Sequence, residues 1–277
     1  MPGGTFGVER AGYRAGAVHR WQSGTLAANE DFVAEEAPVV LVYNGQPHVV
    51  MMATPLDLED FALGFSLTEG IIQSPEEASS IRVYRRAKGV EVRVQIPEHR
   101  FSCVADKGRN LTGRTGCGLC GASTLEQAVR TPPAVGLGTT TQAEALVEAL
   151  TAMHAQQRIN QVTGAVHAAG WLPANAATVS AVREDVGRHN ALDKLIGCLA
   201  RQQTDFNHGS LLITSRASYE MVVKAAQMGI SLLAAISAPT ALAIELADQC
   251  GQTLVGFARL NRLVVYTHPE RLFSTPF

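Results

Sequence analysis

Two thiols three residues apart on a glycine-rich stretch, Gly116-Cys117-Gly118-Leu119-Cys120-Gly121, are the most chemically informative feature of the chain. Glycines leave the backbone free to turn and to travel. Lys107, Arg109 and Arg114 precede the motif, and Ser123-Thr124-Leu125-Glu126 behind it reads as a capping box opening a short helix. Cationic neighbours and a helix N-terminus lower a thiol pKa from about 8.5 toward about 3.5 to 7.5, where the nucleophilic thiolate dominates. The stretch therefore points to a thiolate that carries or delivers a group covalently. Two other readings stay open. A thioredoxin-like redox pair would want a strand before the motif and a helix after it in a βαβ unit. A zinc site would recruit His99 and Cys103 beside Cys117 and Cys120. Cys198 and Cys250 read as inert thiols in or near the core.

Two further clusters sit where strands are predicted to meet helices. Arg183 to Lys194 packs charged groups at a strand end and a helix start, which is where open α/β sheets bind ligands. The competing reading is an ordinary helix start with Asp185 complementing the dipole, and His189 is then a satisfied imidazole. Thr214-Ser215-Arg216-Ala217-Ser218 offers hydroxyls, a guanidinium and backbone amides to an anion such as a phosphate, without a Walker pattern. Ser218 alone also serves as a plain N-cap.

The elements that must hold these groups divide the chain in three. Residues 1–17 are rich in Gly and Arg without periodicity and are expected to form a flexible arm. Residues 18–136 read as a small α+β domain. Val39 to Tyr43 and His48 to Met52 flank Asn44-Gly45, the strongest short hairpin signal. Thr54-Pro55 predicts a helix start and Gly70 its end. Ile81 to Arg85 and Val90 to Ile96 alternate around Lys88-Gly89 as a second hairpin. The cysteine loop, 98–122, follows within this domain. Residues 137–277 open with a second capping box, Thr141 to Glu144, and then alternate strands with helices, which predicts a largely parallel sheet between helical layers.

Composition narrows the function classes. The 277 residues are 46% hydrophobic and carry a net charge of −2, so no basic field gathers nucleic acid or acidic membranes. Five cysteines form no regular framework, which argues against structural disulfides and an oxidising compartment. The start of the chain has no secretory pattern, and a cytoplasmic address is expected. The apolar stretch Met228 to Ala247 is interrupted at Gly229 and Pro239 and reads as a strand and a helix rather than a membrane span.

Taken together, Gly113 to Gly121, Glu184 to Lys194, Ser215 to Met221 and Leu254 to Ala258 resemble the formate dehydrogenase accessory sulfurtransferases, the FdhD/NarQ family, over about Glu30 to Leu272. The resemblance implies an α/β fold whose C-terminal half is a cytidine-deaminase-like three-layer domain, with the smaller α+β domain carrying a flexible CxxC loop. It implies a sulfur carrier needed for formate dehydrogenase activity. Cys117 would accept persulfide sulfur from a cysteine desulfurase, with Cys120 assisting or resolving. The sulfur would pass to the molybdenum bis(molybdopterin guanine dinucleotide) cofactor, the bound substrate, before its insertion into the catalytic subunit of formate dehydrogenase. Phe257, Ala258, Arg259, Leu260, Asn261 and Arg262 are implied cofactor contacts, joined by Ser215, Arg216 and His189. Arg216, Arg259 and Arg262 suit phosphates, and Phe257 offers a face to a base. A homodimer with no permanent metal is implied. Deaminase chemistry does not carry over, because His167-Ala168-Ala169 lacks the glutamate and no later pair of zinc cysteines follows. The alternative function is a non-catalytic cofactor-binding chaperone with structural or zinc-binding cysteines.

Overall fold

The computed structural model describes residues 12–102, 130–259 and 262–273. It opens with a separate two-stranded ribbon, β1 (Tyr13–Gln22) and β2 (Thr25–Ala34), paired antiparallel from Tyr13↔Ala34 to Gln22↔Thr25. Strand structure thus begins at Tyr13, inside the segment expected to be an arm. Alternation fails as a signal here because neither face lies on a core: Trp21 and Leu26 are 69% and 64% exposed.

The first of two larger sheets contains β3 (Ala37–Tyr43), β4 (Gln46–Ala53), β5 (Ser80–Arg86) and β6 (Gly89–Gln95) in the order β4-β3-β6-β5. Asn44 and Gly45 turn the β3–β4 hairpin at φ 47° and 86°, the paired left-handed conformation that Asn-Gly predicts. Helix α1 (Leu58–Thr68) follows β4 and packs on this sheet through Leu58, Phe61 and Phe65. Its start corrects the predicted Thr54 cap. Thr54 N–H donates to Asp185 Oδ2 at 3.0 Å, its hydroxyl accepts from Val186 N–H at 3.2 Å, and its carbonyl accepts from Lys194 Nζ at 2.9 Å. With Thr54 committed to the second half of the chain, the helix begins only after Asp57, at φ 50°.

The second half runs β7 (Thr141–Gln142), α2 (Ala143–Met153), α3 (Arg158–Thr163), β8 (His167–Pro173), β9 (Ala181–Asp185) and α4 (Arg188–Arg201). It continues through β10 (Gly209–Ile213), α5 (Tyr219–Gln227), β11 (Leu232–Ala235), α6 (Ala241–Cys250), β12 (Thr253–Arg259), β13 (Arg262–Thr267) and β14 (Leu272–Phe273). Six of these strands form a sheet in the order β13-β12-β11-β10-β8-β9. It is parallel only across β10, β11 and β12, which corrects the largely parallel sheet expected from the alternation. Hairpins at both ends, β8–β9 and β12–β13, need no crossover helix and run antiparallel. The second predicted capping box is also corrected. Thr141 belongs to β7, Gln142 occupies the N-cap position, and no side chain caps α2.

Helix α2 covers one face of the second sheet, burying Leu146, Leu150 and Met153 against Ala168, Leu212 and Val255. Helices α4, α5 and α6 cover the other face. Helix α4 is also pressed against α1, and glycine makes that approach possible. A Cβ on Gly64 would lie 1.7 Å from the Asp193 carbonyl oxygen, and one on Gly197 would lie 1.9 Å from that of Asp60. One apolar cluster therefore runs from the first sheet through α1 and α4 to the second sheet.

Ion pairs are buried at the same seam. Lys194 meets Asp185 at 2.7 Å with both side chains fully enclosed, and Lys224 meets Asp193 at 2.9 Å and Glu69 at 3.0 Å. Arg183 reaches Asp60 at 2.8 Å. Burial opposes the charge on Glu69, but Lys224 and Arg130 outweigh it and hold the carboxyl down at about 2. Among the described residues no helix is long and apolar enough to cross a membrane, and Met228 to Ala247 resolves into β11 and α6.

Candidate functional site

The strand directions gather the candidate residues along one edge of the second sheet. β9 to β12 share a direction apart from β8, so the carboxyl ends of β9, β10, β11 and β12 lie together, beside the starts of β8 and β13. Ligands of open α/β sheets bind at such an edge. Its loops are tied to one another by backbone bonds. Thr214 N–H donates to Ala168 O at 3.0 Å, Thr240 N–H to Ala217 O at 3.1 Å, and Phe257 N–H to Ser237 O at 3.3 Å. Gly256 permits the last approach, since a Cβ there would meet Pro239 Cδ at 2.8 Å.

Of the residues singled out from sequence, His189, Ser215, Arg216, Phe257, Ala258, Arg259 and Arg262 all fall on this edge. Cys117, Cys120, Leu260 and Asn261 lie outside the described residues, as do Cys103 and the Ser123 capping box. Ser215 is buried and its hydroxyl donates to the Arg216 carbonyl at 3.0 Å, while the Arg216 side chain is exposed. Ala258 is fully buried, so it offers a ligand no side chain. Arg259 and Arg262 are exposed and directly paired across β12 and β13. Phe257 stands at φ 53° where the β12–β13 register shifts between Gly256 and Arg259. A bulky residue in that conformation is held at a cost of about 1–3 kcal/mol, and such strain clusters at ligand sites.

Sequence reasoning singled out His189 but not its partners. Its Nε2 lies 2.6 Å from Glu220 Oε2, on the first turn of α5, and Arg188 Nη2 lies 3.8 Å from the same oxygen. Three polar atoms of this cluster are buried without a hydrogen-bond partner among the described residues: Arg188 Nε, Ser218 Oγ and Glu220 Oε1. Ser218 does occupy the predicted N-cap position of α5, yet its side chain makes no capping bond. His167, paired in register with Asp185, completes the group; burial pushes its pKa down, and Arg188 and His189 push the same way. Asp185 accepts from Gly187 N–H at 2.8 Å and Asn190 Nδ2 at 3.0 Å, so it organises the start of α4 as well as pairing with Lys194. The available signal for Arg188 and Glu220 was their place in the first turns of two otherwise buried helices.

The two cysteines that the structure describes take no part. Cys198 and Cys250 are buried, and burial raises both thiols above the ordinary range.

Comparison with known proteins agrees with this architecture. The model of the FdhD/NarQ family matches residues 34–273. The chain is 53% identical over 263 residues to a Xanthomonas campestris pv. campestris protein named sulfur carrier protein FdhD, covering 95% of this chain and 93% of the relative. A Cupriavidus necator protein of the same name is 52% identical over 256 residues, covering 92% and 88%. Among solved structures, one described as a formate dehydrogenase accessory protein from Desulfotalea psychrophila superposes with a TM-score of 0.70 at 25% identity, covering 94% of this chain and 99% of that one. A family match over most of the chain and relatives of this identity along nearly its whole length establish that the chain belongs to the FdhD/NarQ family.

Proposed function

We propose that this chain is a sulfur carrier for formate dehydrogenase maturation, working as a sulfurtransferase on a molybdenum bis(molybdopterin guanine dinucleotide) substrate. The observation that carries the reading is 53% identity, over 95% of the chain, to a protein named as a sulfur carrier. The name of the Desulfotalea psychrophila neighbour supports formate dehydrogenase as the destination. The sheet edge supports a polar, phosphate-bearing ligand through Arg216, Arg259 and Arg262. The α2, second-sheet and α4–α6 layers support reading the C-terminal half as cytidine-deaminase-like.

In this reading Cys117 thiolate attacks the outer sulfur of a cysteine desulfurase persulfide. The donor's S–S bond breaks, the donor cysteine leaves as thiolate, and Cys117 holds the persulfide. Attack of Cys120 thiolate on the inner sulfur then closes a Cys117–Cys120 disulfide and releases the outer sulfur as hydrosulfide, the thiols supplying the two electrons. The cofactor bound at the sheet edge is the acceptor. The working unit is a homodimer in the cytoplasm with no resident metal.

Mass spectrometry after incubation with a desulfurase and cysteine tests the assignment. Wild type gains the mass of one sulfur, Cys117→Ala gains none, and Cys120→Ala loads but fails to release. A Cys117→Ala protein that still gained sulfur and still supported formate dehydrogenase would overturn it. Retained activity without any sulfur gain would favour a cofactor-binding chaperone.

A further inference from the structure

The first sheet has one face buried on α1 and one face open. We infer that the open face is a docking surface for the sulfur donor, fitted to a protein surface whose apolar centre is bordered by carboxylates. The inference rests on the proposed function for the identity of the partner; the sheet supplies the surface and its chemistry.

Strand register assigns the face. Val39, Leu41, Val90 and Val92 are buried in the core against α1, so their neighbours along each strand point the other way. One outward row therefore runs Val50, Val40, Glu91 and Tyr84, each paired with the next. The β4 end of the face is apolar, with Val50 and Met52 54% and 49% exposed. The β5–β6 end is basic. Arg82, Arg85, Arg86, Lys88 and Arg93 are all exposed there against the single carboxylate of Glu91, in a chain whose net charge is −2. Glu91 is shared by Arg86 and Arg93, and Arg82, Arg85 and Lys88 have no carboxylate partner among the described residues. Charge on an edge strand serves to keep sheets from pairing. That role accounts neither for Arg93, which stands on the interior strand β6, nor for the exposed aliphatic end.

The chemistry favours a protein over a nucleic acid. Arg86 and Arg93 stand over the Tyr84 ring, 5.3 and 4.9 Å from its centroid, and so close it to a stacking base. The apolar end offers a phosphate backbone nothing. A protein partner satisfies both ends, with aliphatic side chains on Val50 and Met52 and carboxylates on the cations. Four strands about 4.8 Å apart, at about 3.4 Å per residue over some seven residues, give a face of roughly 450 Å². Both partners together bury about 900 Å², the range of transient encounters. A donor that delivers its sulfur and leaves needs no more. Position selects the donor rather than the acceptor. The candidate cofactor edge belongs to the second sheet, whereas β6 of the first sheet ends at Gln95, and Arg100 is pinned to Glu77 at 3.0 Å before the chain continues to Cys117.

Sulfur-loading rates of the full chain test this, measured with a cysteine desulfurase plus cysteine and separately with glutathione persulfide, a small donor that needs no docking face. Arg82→Glu with Lys88→Glu reverses two unpaired charges, and Val50→Asp places a charge on the apolar end. Each should raise the desulfurase concentration that gives half the maximal rate by about 10-fold at low salt. The maximal rate, the circular dichroism spectrum and loading by glutathione persulfide should not change. In about 0.5 M NaCl the charge-reversed chain should approach wild type, because exposed charges are screened there. A half-maximal concentration within about twofold of wild type in either folded variant overturns the inference. A variant that changes the particle mass in light scattering also overturns it, since the face would then join copies of this chain. Single-stranded RNA bound by wild type and lost on charge reversal would assign the face to nucleic acid and overturn it too. A wild-type chain that neither donor loads strikes the sulfur-carrier reading, whereas loading indifferent to both variants strikes only this one.

Discussion

Replacing Gly64 by alanine adds one methyl group where α1 crosses α4. The new Cβ would fall 1.7 Å from the Asp193 carbonyl oxygen and 2.8 Å from the Gly197 nitrogen. Both are backbone atoms, so no rotamer change relieves the overlap and the helices must separate. Adding atoms to a well-packed core costs about 1–3 kcal/mol, occasionally more. Separation here also loosens the Lys224–Glu69 and Arg183–Asp60 pairs, at 3.0 and 2.8 Å, which tie α1 and its C-cap to the second half. The expected loss is about 3 kcal/mol, which lowers the melting temperature of a chain this size by roughly 6–12 °C. Far-ultraviolet circular dichroism against temperature measures it. Gly16→Ala, on the β1–β2 ribbon with nothing within 4 Å of its added Cβ, is the control and should melt within about 2 °C of wild type. A Gly64→Ala protein melting beside that control would refute the shared helical layer. Two separate transitions, only one of them shifted, would refute it too.

Three other outcomes follow from buried charge and strain. Lys224→Met leaves Asp193 buried without its cation, beside a Glu69 that keeps only Arg130, and should cost about 3–5 kcal/mol in urea unfolding; Lys224→Met with Asp193→Asn should recover part of it. Glu69, held at about 2 against an ordinary 4.5, contributes about 3 kcal/mol that is complete above pH 4.5 and is lost as pH falls toward 2. Unfolding free energies of wild type and Glu69→Gln should therefore converge across that acid window; parallel curves would refute the assignment. Phe257→Gly releases a left-handed φ of 53° and should leave urea stability unchanged or raised by about 1 kcal/mol, while weakening nucleotide binding measured by calorimetric titration. A stability loss above about 1 kcal/mol would mean that ring packing outweighs the backbone strain.

What was legible in the sequence was local. Asn44-Gly45 announced its hairpin because two left-handed residues are the whole content of that turn. Gly251 likewise closed α6 where expected, at φ 76°. The failures come from partners distant in the chain. Thr54-Pro55 carries the marks of a helix start, yet every polar group of Thr54 is claimed by residues more than a hundred positions later. Strand direction at the ends of the second sheet depends on hairpins whose turns carry weak signals, so the parallel centre was extended too far. The site divides the same way. Its strand-to-helix junctions could be placed from residue pattern, but the Glu220 contact to His189 spans 31 residues and the orphaned atoms exist only in three dimensions.

The β1–β2 ribbon has a consequence for how the molecule meets proteases and solvent. Strands of this length extend about 33 Å, and two alone are marginally stable in water. Only the base is seated, where Gly12 lies against Ile159 and Leu56. Its amides should exchange deuterium long before those of β10 or β11, and a limited digest should nick near Gly24 before any turn of the two larger sheets. Because the buried clusters contain no residue of either strand, the trimmed body should keep its cooperative melt, making the ribbon an appendage that can be shortened without unmaking the rest.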